Sequence, residues 1–298
     1  ALKVRDITRV LEVWAPPILQ ESYDNSGLLV GDLSAKVTKV LISLDCTEDV
    51  VAEAEKEGAE LIISHHPIIF SGLKRLTGNN YVERTVLRAI KSGIALYAIH
   101  TNLDNVATGV NLELATALGC TPESLKILRP KSEILHHVTV FCPSDYAETV
   151  REAMFKAGAG SIGDYDRCSF NLVGEGTFRP GAGSGPFVGK KGEDHIETET
   201  KIELLVESRL SKSVVSAAAD VHPYEKMAYF ITPLANHDKN IGAGMIGKLP
   251  EPVRWEDFLD NAKSSLKATH IKHTEPVSEY VSTIAVCGGS ALFYFAMQ

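Results

Sequence analysis

Residues 61–67 read Leu61-Ile62-Ile63-Ser64-His65-His66-Pro67, an apolar run that turns polar at its end. Residues 94–104 repeat this design, since a second apolar run leads into His100 and, four residues later, Asp104. A third apolar run, at residues 40–45, stops in an aspartate. The carboxyl ends of parallel strands meet at one edge of a sheet, where open α/β folds place their active sites. The three runs therefore predict that imidazole and carboxylate groups converge at this edge.

The segments between these runs predict helices, and hence parallel strands. Residues 47–57 are acidic at their start and are followed by Gly58, and both features are typical of helix ends. Residues 81–91 place four apolar side chains on one helical face before a Ser-Gly stop. Alternating strands and helices form βαβ units, which need right-handed crossovers and a sheet covered on both faces. We therefore predict an α/β fold whose main domain is a mostly parallel sheet with helices on both faces.

The middle of the chain has a different pattern. The order strand, helix, strand occurs twice, at residues 137–141, 146–156 and 168–173 and again at 201–206, 211–219 and 227–231. This tandem order predicts a ferredoxin-like α+β domain. We expect it to occupy residues 131–237 and to interrupt a main domain formed by residues 1–130 plus 238–298. The Gly-rich segment 181–189 inside it lacks the spacing of a phosphate-binding P-loop, which favours a hairpin or lid.

Composition excludes several classes of protein. The chain has 298 residues, 44% of them apolar, which is enough for a large core and suggests more than one domain. A net charge of −8 argues against a nucleic-acid partner, because phosphate binding needs clustered Lys and Arg. No apolar stretch approaches the roughly 20 residues of a membrane helix, and the N-terminal segment does not resemble a signal peptide. Five scattered cysteines without a CxxC pair predict a reduced, cytoplasmic location.

The histidines have structural as well as functional interpretations. A single histidine at a strand end is more often a hydrogen-bonded rim residue than a metal ligand. The doublet of His65 and His66, with His100 and Asp104 after the neighbouring strand, favours metal binding, since a ligand needs a neutral nitrogen and a fixed ring. A second doublet, at residues 136–137, begins a strand of the insert, where alternation would point the two rings to opposite faces. We interpret that doublet as structural, and His270 and His273 are weak candidates.

Several motifs together resemble the NIF-three-like family, also known as GTP cyclohydrolase 1 type 2-like proteins. In chain order they are Glu21-Ser22-Tyr23-Asp24-Asn25-Ser26-Gly27-Leu28, Ser64-His65-His66-Pro67, His100-Thr101-Asn102-Leu103-Asp104, Gly174-Glu175-Gly176-Thr177-Phe178-Arg179-Pro180, His222-Pro223-Tyr224-Glu225 and Val286-Cys287-Gly288-Gly289-Ser290. The resemblance covers essentially the whole chain. It implies an α/β domain with a dinuclear metal centre, assembly into toroidal homo-hexamers, and an insert that resembles PII and CutA proteins.

Carried over to these positions, the resemblance makes His65, His66 and Asp104 metal ligands, with His100 beside them. Two divalent ions (zinc, iron or manganese) suit such donors and activate water in binuclear hydrolases. Asp104 is then the candidate bridging ligand, His100 a candidate proton donor to the leaving group, and Arg179 a candidate catalytic contact for substrate phosphate. We therefore predict a cytoplasmic hydrolase that acts on a nucleotide or another phosphorylated small molecule, without a membrane or nucleic-acid partner.

Two alternatives stay open at this point. One is a non-catalytic assembly that binds or delivers metal, and the other is a regulator whose insert senses a small ligand. The resemblance also implies a further histidine and a glutamate ligand beyond the Gly-Gly-Ser turn, but after Ser290 the sequence reads Ala-Leu-Phe-Tyr-Phe-Ala-Met-Gln. Either the natural protein continues beyond this point or the site is incomplete. The closing strands and helices that the sheet would otherwise lack favour the first.

Overall fold

The computed structural model describes residues 1–132 and 134–289. Within them the strands are β1 (Leu2–Lys3), β2 (Gly27–Val30), β3 (Lys36–Val37), β4 (Val40–Ser43), β5 (Leu61–Ser64), β6 (Ala95–Ala98), β7 (Lys126–Pro130), β8 (Leu135–Pro143), β9 (Phe170–Phe178), β10 (His195–Glu207), β11 (Tyr229–Pro233), β12 (Gly242–Arg254) and β13 (Tyr280–Val286). The helices are α1 (Val4–Trp14), α2 (Glu48–Glu57), α3 (Tyr81–Lys91), α4 (Thr101–Asp104), α5 (Val110–Ala117), α6 (Ala147–Lys156), α7 (Ser211–Val221) and α8 (Trp255–Ser265). None of the described helices is long and apolar enough to span a membrane.

The chain divides into two compact units. The first contains Ala1–Pro130 and the described part of Lys239–Gln298, and the second contains Lys131–Asp238. The mixed α/β fold that the sequence predicts is confirmed.

The first unit contains a four-stranded sheet in the order β2-β6-β5-β4. Strands β4, β5 and β6 are parallel, and the register pairs Ser43 with Ser64 and Ser64 with Ala98. Helices α2 and α3 are the connections between these strands, and Gly58 ends α2 with a φ of 69°, a conformation that glycine adopts without strain. This register brings the ends of the three strands to the same level at one edge of the sheet.

The prediction of a mostly parallel sheet domain needs correction. Strand β2 is antiparallel to β6, and the later strands form a separate antiparallel sheet in the order β13-β12-β7 instead of extending the parallel one. Strand β7 leads into the second unit and β12 returns from it, and Gly242 of β12 pairs with Pro130 of β7. The two strands that flank the insertion therefore pair with each other. Apolar runs predict strands, but they do not identify the partner strand.

The second unit has the element order β8-α6-β9-β10-α7-β11 and one antiparallel sheet in the order β11-β8-β10-β9. Alternate side chains of β8 and β10, such as Val138 and Ile202, pack with α6 and α7 in a buried core. The opposite side chains of the sheet, including Phe170, Leu172 and Phe230, are exposed. Strands β9 and β10 are longer than the sequence predicts, and the segment 179–194 connects them.

Candidate metal centre

Three histidines converge at the edge of the parallel strands. His65 and His66 follow β5 directly, and His100 follows the neighbouring parallel strand β6. One ring nitrogen from each lies within 4.8 Å of the others, close enough for the three side chains to hold one metal ion. The ring centroids are 5.0–5.5 Å apart. Neighbouring strands of equal extent thus place the three imidazoles together.

Each imidazole is oriented by a hydrogen bond at Nδ1. The acceptors are the Ile99 carbonyl for His65 (2.9 Å), Asp45 Oδ1 for His66 (2.7 Å) and Asp24 Oδ1 for His100 (2.7 Å). A carbonyl and a carboxylate only accept hydrogen bonds, so Nδ1 carries the proton and Nε2 keeps its lone pair. Burial, the largest effect, lowers the pKa of His65 and favours its neutral form. Imidazole binds metals in this tautomer, and such partners of the remote nitrogen fix the ring.

Asp24 is the most strongly bound carboxylate at the site. Its side chain is fully buried and accepts hydrogen bonds from His100, from Asn25 N (2.7 Å), and from both the backbone and the hydroxyl of Thr101. Burial alone would raise the pKa of Asp24, but these hydrogen bonds hold it well below its ordinary value. Asp24 is therefore ionised and fixes the position of His100.

Asp104 is an unsatisfied carboxylate close enough to interact electrostatically with the three histidines, although it is not part of the group whose ligand atoms lie within 4.8 Å of one another. Its Oδ1 is buried and has no hydrogen-bond partner among the described residues. Burial raises the pKa of Asp104, whereas His65 and His100 act in the opposite direction. A β-carbon added at Gly288 would lie 3.5 Å from Oδ1, so the Gly-Gly turn packs directly against this carboxylate. A buried acceptor beside three imidazoles fits a cation, because an unpaired charge is otherwise costly to bury.

Two buried asparagines, Asn102 and Asn111, complete the site. The sequence pattern included Asn102 only as part of a motif and did not indicate Asn111. Asn102 accepts a hydrogen bond from His100 N (2.8 Å) and donates one to Ala15 O (2.7 Å). Asn111 donates to Asp104 O (2.9 Å) and accepts from Gly288 N (2.8 Å). These contacts fix the segment between His100 and Asp104. Asp24 was likewise named only as part of a motif, 76 residues away from His100 in sequence.

Two exposed aromatic rings lie next to the histidines. The ring centroid of Phe70 is 6.4 Å from that of His100, and the ring centroid of Tyr23 is 6.3 Å from that of Phe70. Phe70 is 51% exposed and Tyr23 is 56% exposed, so about half of each residue is accessible to a ligand. The negative charge of Asp104 is among the effects that raise the pKa of Tyr23, after burial and nearer carboxylates. Exposed rings beside a polar cluster form a surface on which a planar group stacks.

The remaining candidates lie elsewhere. Arg179 belongs to the second unit, where its guanidinium forms a two-pronged ion pair with Asp194, at 2.7 Å for each contact. The ring of His136 forms a hydrogen bond with Ser211 Oγ (2.8 Å), and the interpretation of this doublet as structural stays a prediction. His270 and His273 are exposed, and among the described residues the hydrogen bonds of their rings go to neighbouring threonines. Ser290 and the residues after it lie outside the described part of the chain.

A fold of this class with converging imidazoles and a buried carboxylate defines a candidate metal-binding protein. The model of the family described as Duf34/NIF3 (NGG1p interacting factor 3) matches residues 2–298, and the chain belongs to this family. A protein of Halalkalibacterium halodurans named GTP cyclohydrolase 1 type 2 homolog is 39% identical over 291 residues, which cover 97% of this chain and 78% of that protein. A Bacillus subtilis protein of the same name is 34% identical, with the same coverage of both chains. A crystal structure of a Bacillus cereus protein related to NIF3 superposes with a TM-score of 0.80 and 36% identity, and covers 98% of this chain and 80% of that one.

Proposed function

We propose that this protein is a metal-dependent hydrolase with two divalent ions per subunit, which acts on a nucleotide or another phosphorylated small molecule. The observation that carries the proposal is the group of three imidazoles, each with Nδ1 engaged, beside the unpaired Oδ1 of Asp104. Nitrogen and carboxylate donors suit zinc, iron or manganese.

His65, His66 and Asp104 are the proposed metal ligands, and Asp104 has two oxygens with which to bridge two ions. His100 is oriented in the same way as the other imidazoles, so we add it as a ligand. The proton transfer to the leaving group predicted for His100 is the alternative. A pair of divalent ions held by these residues would lower the pKa of a bound water and supply hydroxide near neutral pH.

The proposed nucleotide substrate is supported by the two exposed aromatic rings near His100. The exposed rings of Tyr23 and Phe70 would stack on a nucleobase next to the imidazoles. The relatives named GTP cyclohydrolase 1 type 2 homolog also favour a nucleotide. A contact between Arg179 and substrate phosphate stays a prediction, because this residue belongs to the second unit.

We also propose that residues 131–237 form an inserted ferredoxin-like domain of the PII/CutA type, within a chain whose main domain is residues 1–130 plus 238–298. The βαββαβ element order and the antiparallel sheet support this assignment. Assembly into homo-hexamers and a cytoplasmic location are further proposals. The first rests on the family resemblance and the second on five free thiols.

The test is metal quantification of the purified full-length protein, followed by a hydrolysis screen of nucleotides and phosphoesters with and without a chelator. We expect bound transition metal and a chelator-sensitive activity. His66→Ala should abolish both and leave the oligomer unchanged in size-exclusion chromatography. His270→Ala is the matched control, since it removes an exposed imidazole that bonds only to a neighbouring threonine.

Full metal content in His66→Ala would contradict the ligand assignment. Metal binding without any hydrolysis in the screen would contradict the enzymatic part of the proposal and favour a metal-binding or metal-delivery role. His100→Gln separates the two roles of His100, because loss of a ligand lowers metal content, whereas loss of a proton donor lowers kcat at full metal content.

A further inference from the structure

The second unit contains a cavity of its own, which the proposed metal centre does not use. Its volume is about 380 Å³, within the range of small-molecule sites. Its walls include the rings of Phe178, Phe187 and Tyr224. The ring of Tyr224 lies 5.9 Å from that of Phe178 and 6.3 Å from that of Phe187, so the three rings form one aromatic cluster.

A carboxylate lines this aromatic cavity. Glu199 lies on β10, on the face of the sheet opposite the helices, and has no ion-pair partner among the described residues. Gly176 is next to it on β9, and a β-carbon added there would overlap the Glu199 carboxylate. The glycine therefore makes room for the carboxylate to lie across β9.

A second polar group, the hydroxyl of Tyr224, lies beside Glu199 in the cavity. The hydroxyl of Tyr224 is buried, and the polar group that faces it is the Glu199 carboxylate. Burial raises the pKa of Tyr224, and the negative charge of Glu199 and the hydrogen-bonding interaction between the two side chains add to this effect. The turn that presents Tyr224 is fixed by His222, whose Nδ1 accepts a hydrogen bond from Tyr224 N (3.0 Å) and whose Nε2 donates to Phe141 O (2.9 Å). The cavity is thus built around an ordered turn.

The protein's own cations at the cavity do not neutralise Glu199. Both oxygens of Asp194 already hold Arg179, at 2.7 Å each. Lys226 is exposed and forms no ion pair with the described residues, and its ammonium is strongly hydrated. The second carboxylate, Glu225, accepts a hydrogen bond from Gly185 N (3.0 Å) in the segment that connects β9 and β10. Glu199 is therefore the acceptor left for a ligand.

We propose that this cavity binds a small organic cation that carries N–H groups, an amine or a guanidine, with its charge against Glu199 and its apolar body between the rings of Phe178, Phe187 and Tyr224. Aromatic faces attract cations, and the attraction increases when water is excluded. The N–H groups satisfy the carboxylate and the phenol oxygen together, which a quaternary ammonium does not do.

Isothermal titration of the full-length protein with phenethylamine, agmatine, 2-phenylethanol and phenylacetate tests the proposal. We expect phenethylamine to bind at least about tenfold more tightly than 2-phenylethanol, because a charge-assisted hydrogen bond contributes about this factor or more. Agmatine should bind as well, and phenylacetate should not, because its charge opposes that of Glu199. Absence of binding by both cations, or tighter binding of phenylacetate, would overturn the proposal.

Three variants locate the binding site. Glu199→Gln should weaken phenethylamine binding about tenfold or more, and Gly176→Ala should also weaken it by displacing the carboxylate without changing the charge. Glu197→Gln is the matched control, because Glu197 is on the same face of β10 but pairs with His195 outside the cavity. Binding that is unchanged in Glu199→Gln, in a variant with the thermal unfolding midpoint of the wild type, would refute the site.

Discussion

The histidine cluster of the first unit and the aromatic cavity of the second satisfy their polar groups in opposite ways. At the cluster each imidazole has its remote nitrogen bound to a carboxylate or carbonyl before any ligand arrives. In the cavity the Glu199 carboxylate has no ion-pair partner among the described residues, and the Tyr224 hydroxyl faces only this carboxylate among them. At the histidine cluster the Nε2 lone pairs are therefore available to a metal ion, which forms no hydrogen bonds. In the cavity the oxygen atoms are available to a ligand that carries N–H donors.

The largest effect that follows from this comparison concerns the carboxylates behind the imidazoles. We expect Asp24→Asn to weaken metal binding about 10- to 100-fold, the usual effect of removing such a partner. Both Asp24 oxygens accept hydrogen bonds from N–H or O–H groups, so an amide faces a donor whichever way it turns. Competition with a chromophoric chelator measures the affinity.

Asp45→Asn is the matched variant and should have a smaller effect, about tenfold or less. The pair formed by His66 and Asp45 is exposed, and the Asp45 carboxylate makes one hydrogen bond with the described residues, which an amide oxygen can keep. Equal losses in the two variants would show that burial of the partner does not govern the orientation of the ring.

The histidine cluster was largely predictable, because it depends on a local rule. His65, His66 and His100 directly follow apolar strands joined by short helical connections, and parallel strands of equal extent place their ends together. Asp24 could not be found in this way. It lies in a polar segment before β2, and β2 joins the sheet antiparallel to β6, a pairing that neither strand encodes in its own periodicity.

The cavity of the second unit was not predictable at all. The sequence drew attention to Arg179 and to the Gly-rich segment, whereas the carboxylate at the cavity without an ion pair to any described residue is Glu199, an ordinary acidic residue in an alternating strand. Its environment depends on Gly176 of the paired strand and on Tyr224, 25 residues further along the chain. Such a site depends on register and on loop packing, which composition and spacing do not specify.

Alanine substitution of one aromatic residue at each site distinguishes nucleotide binding at the histidine cluster from amine binding in the cavity. Phe70→Ala should raise the Kd of the metal-loaded protein for a nonhydrolysable nucleotide analogue about tenfold, since stacking on a base contributes about 1–3 kcal/mol. Phe187→Ala should weaken phenethylamine binding instead, by a similar factor. Phe170→Ala removes an exposed ring outside both sites and should change neither affinity. An effect of Phe70→Ala on metal content alone would contradict its proposed role in substrate binding.

The smallest expected effect is on the free energy of unfolding of the ligand-free protein, when either Glu60 or Glu199 is replaced by glutamine. Glu60 accepts hydrogen bonds from Thr38 N, Lys39 N and Thr38 Oγ1 at 2.8–3.0 Å, and these bonds lower the pKa of Glu60 to about 2. Glu60→Gln should lower the free energy of unfolding by about 1 kcal/mol, because solvent screens a surface group. Glu199→Gln should lower it by less, since Glu199 accepts no hydrogen bond from a backbone N–H of the described residues and a glutamine oxygen can still face the Tyr224 hydroxyl.

The stabilisation by the Glu60 carboxylate should depend on pH in a direction that its lowered pKa determines. The folded-state pKa of Glu60 is below its unfolded value of about 4.3, so its contribution is fully present above that pH and disappears as the pH falls towards 2. The stability difference between wild type and Glu60→Gln should therefore shrink over this range. Urea unfolding followed by tryptophan fluorescence measures it, because Trp14 and Trp255 both belong to the first unit. A difference that stays constant from pH 6 to pH 3 would mean that packing of the side chain, and not its charge, accounts for the loss.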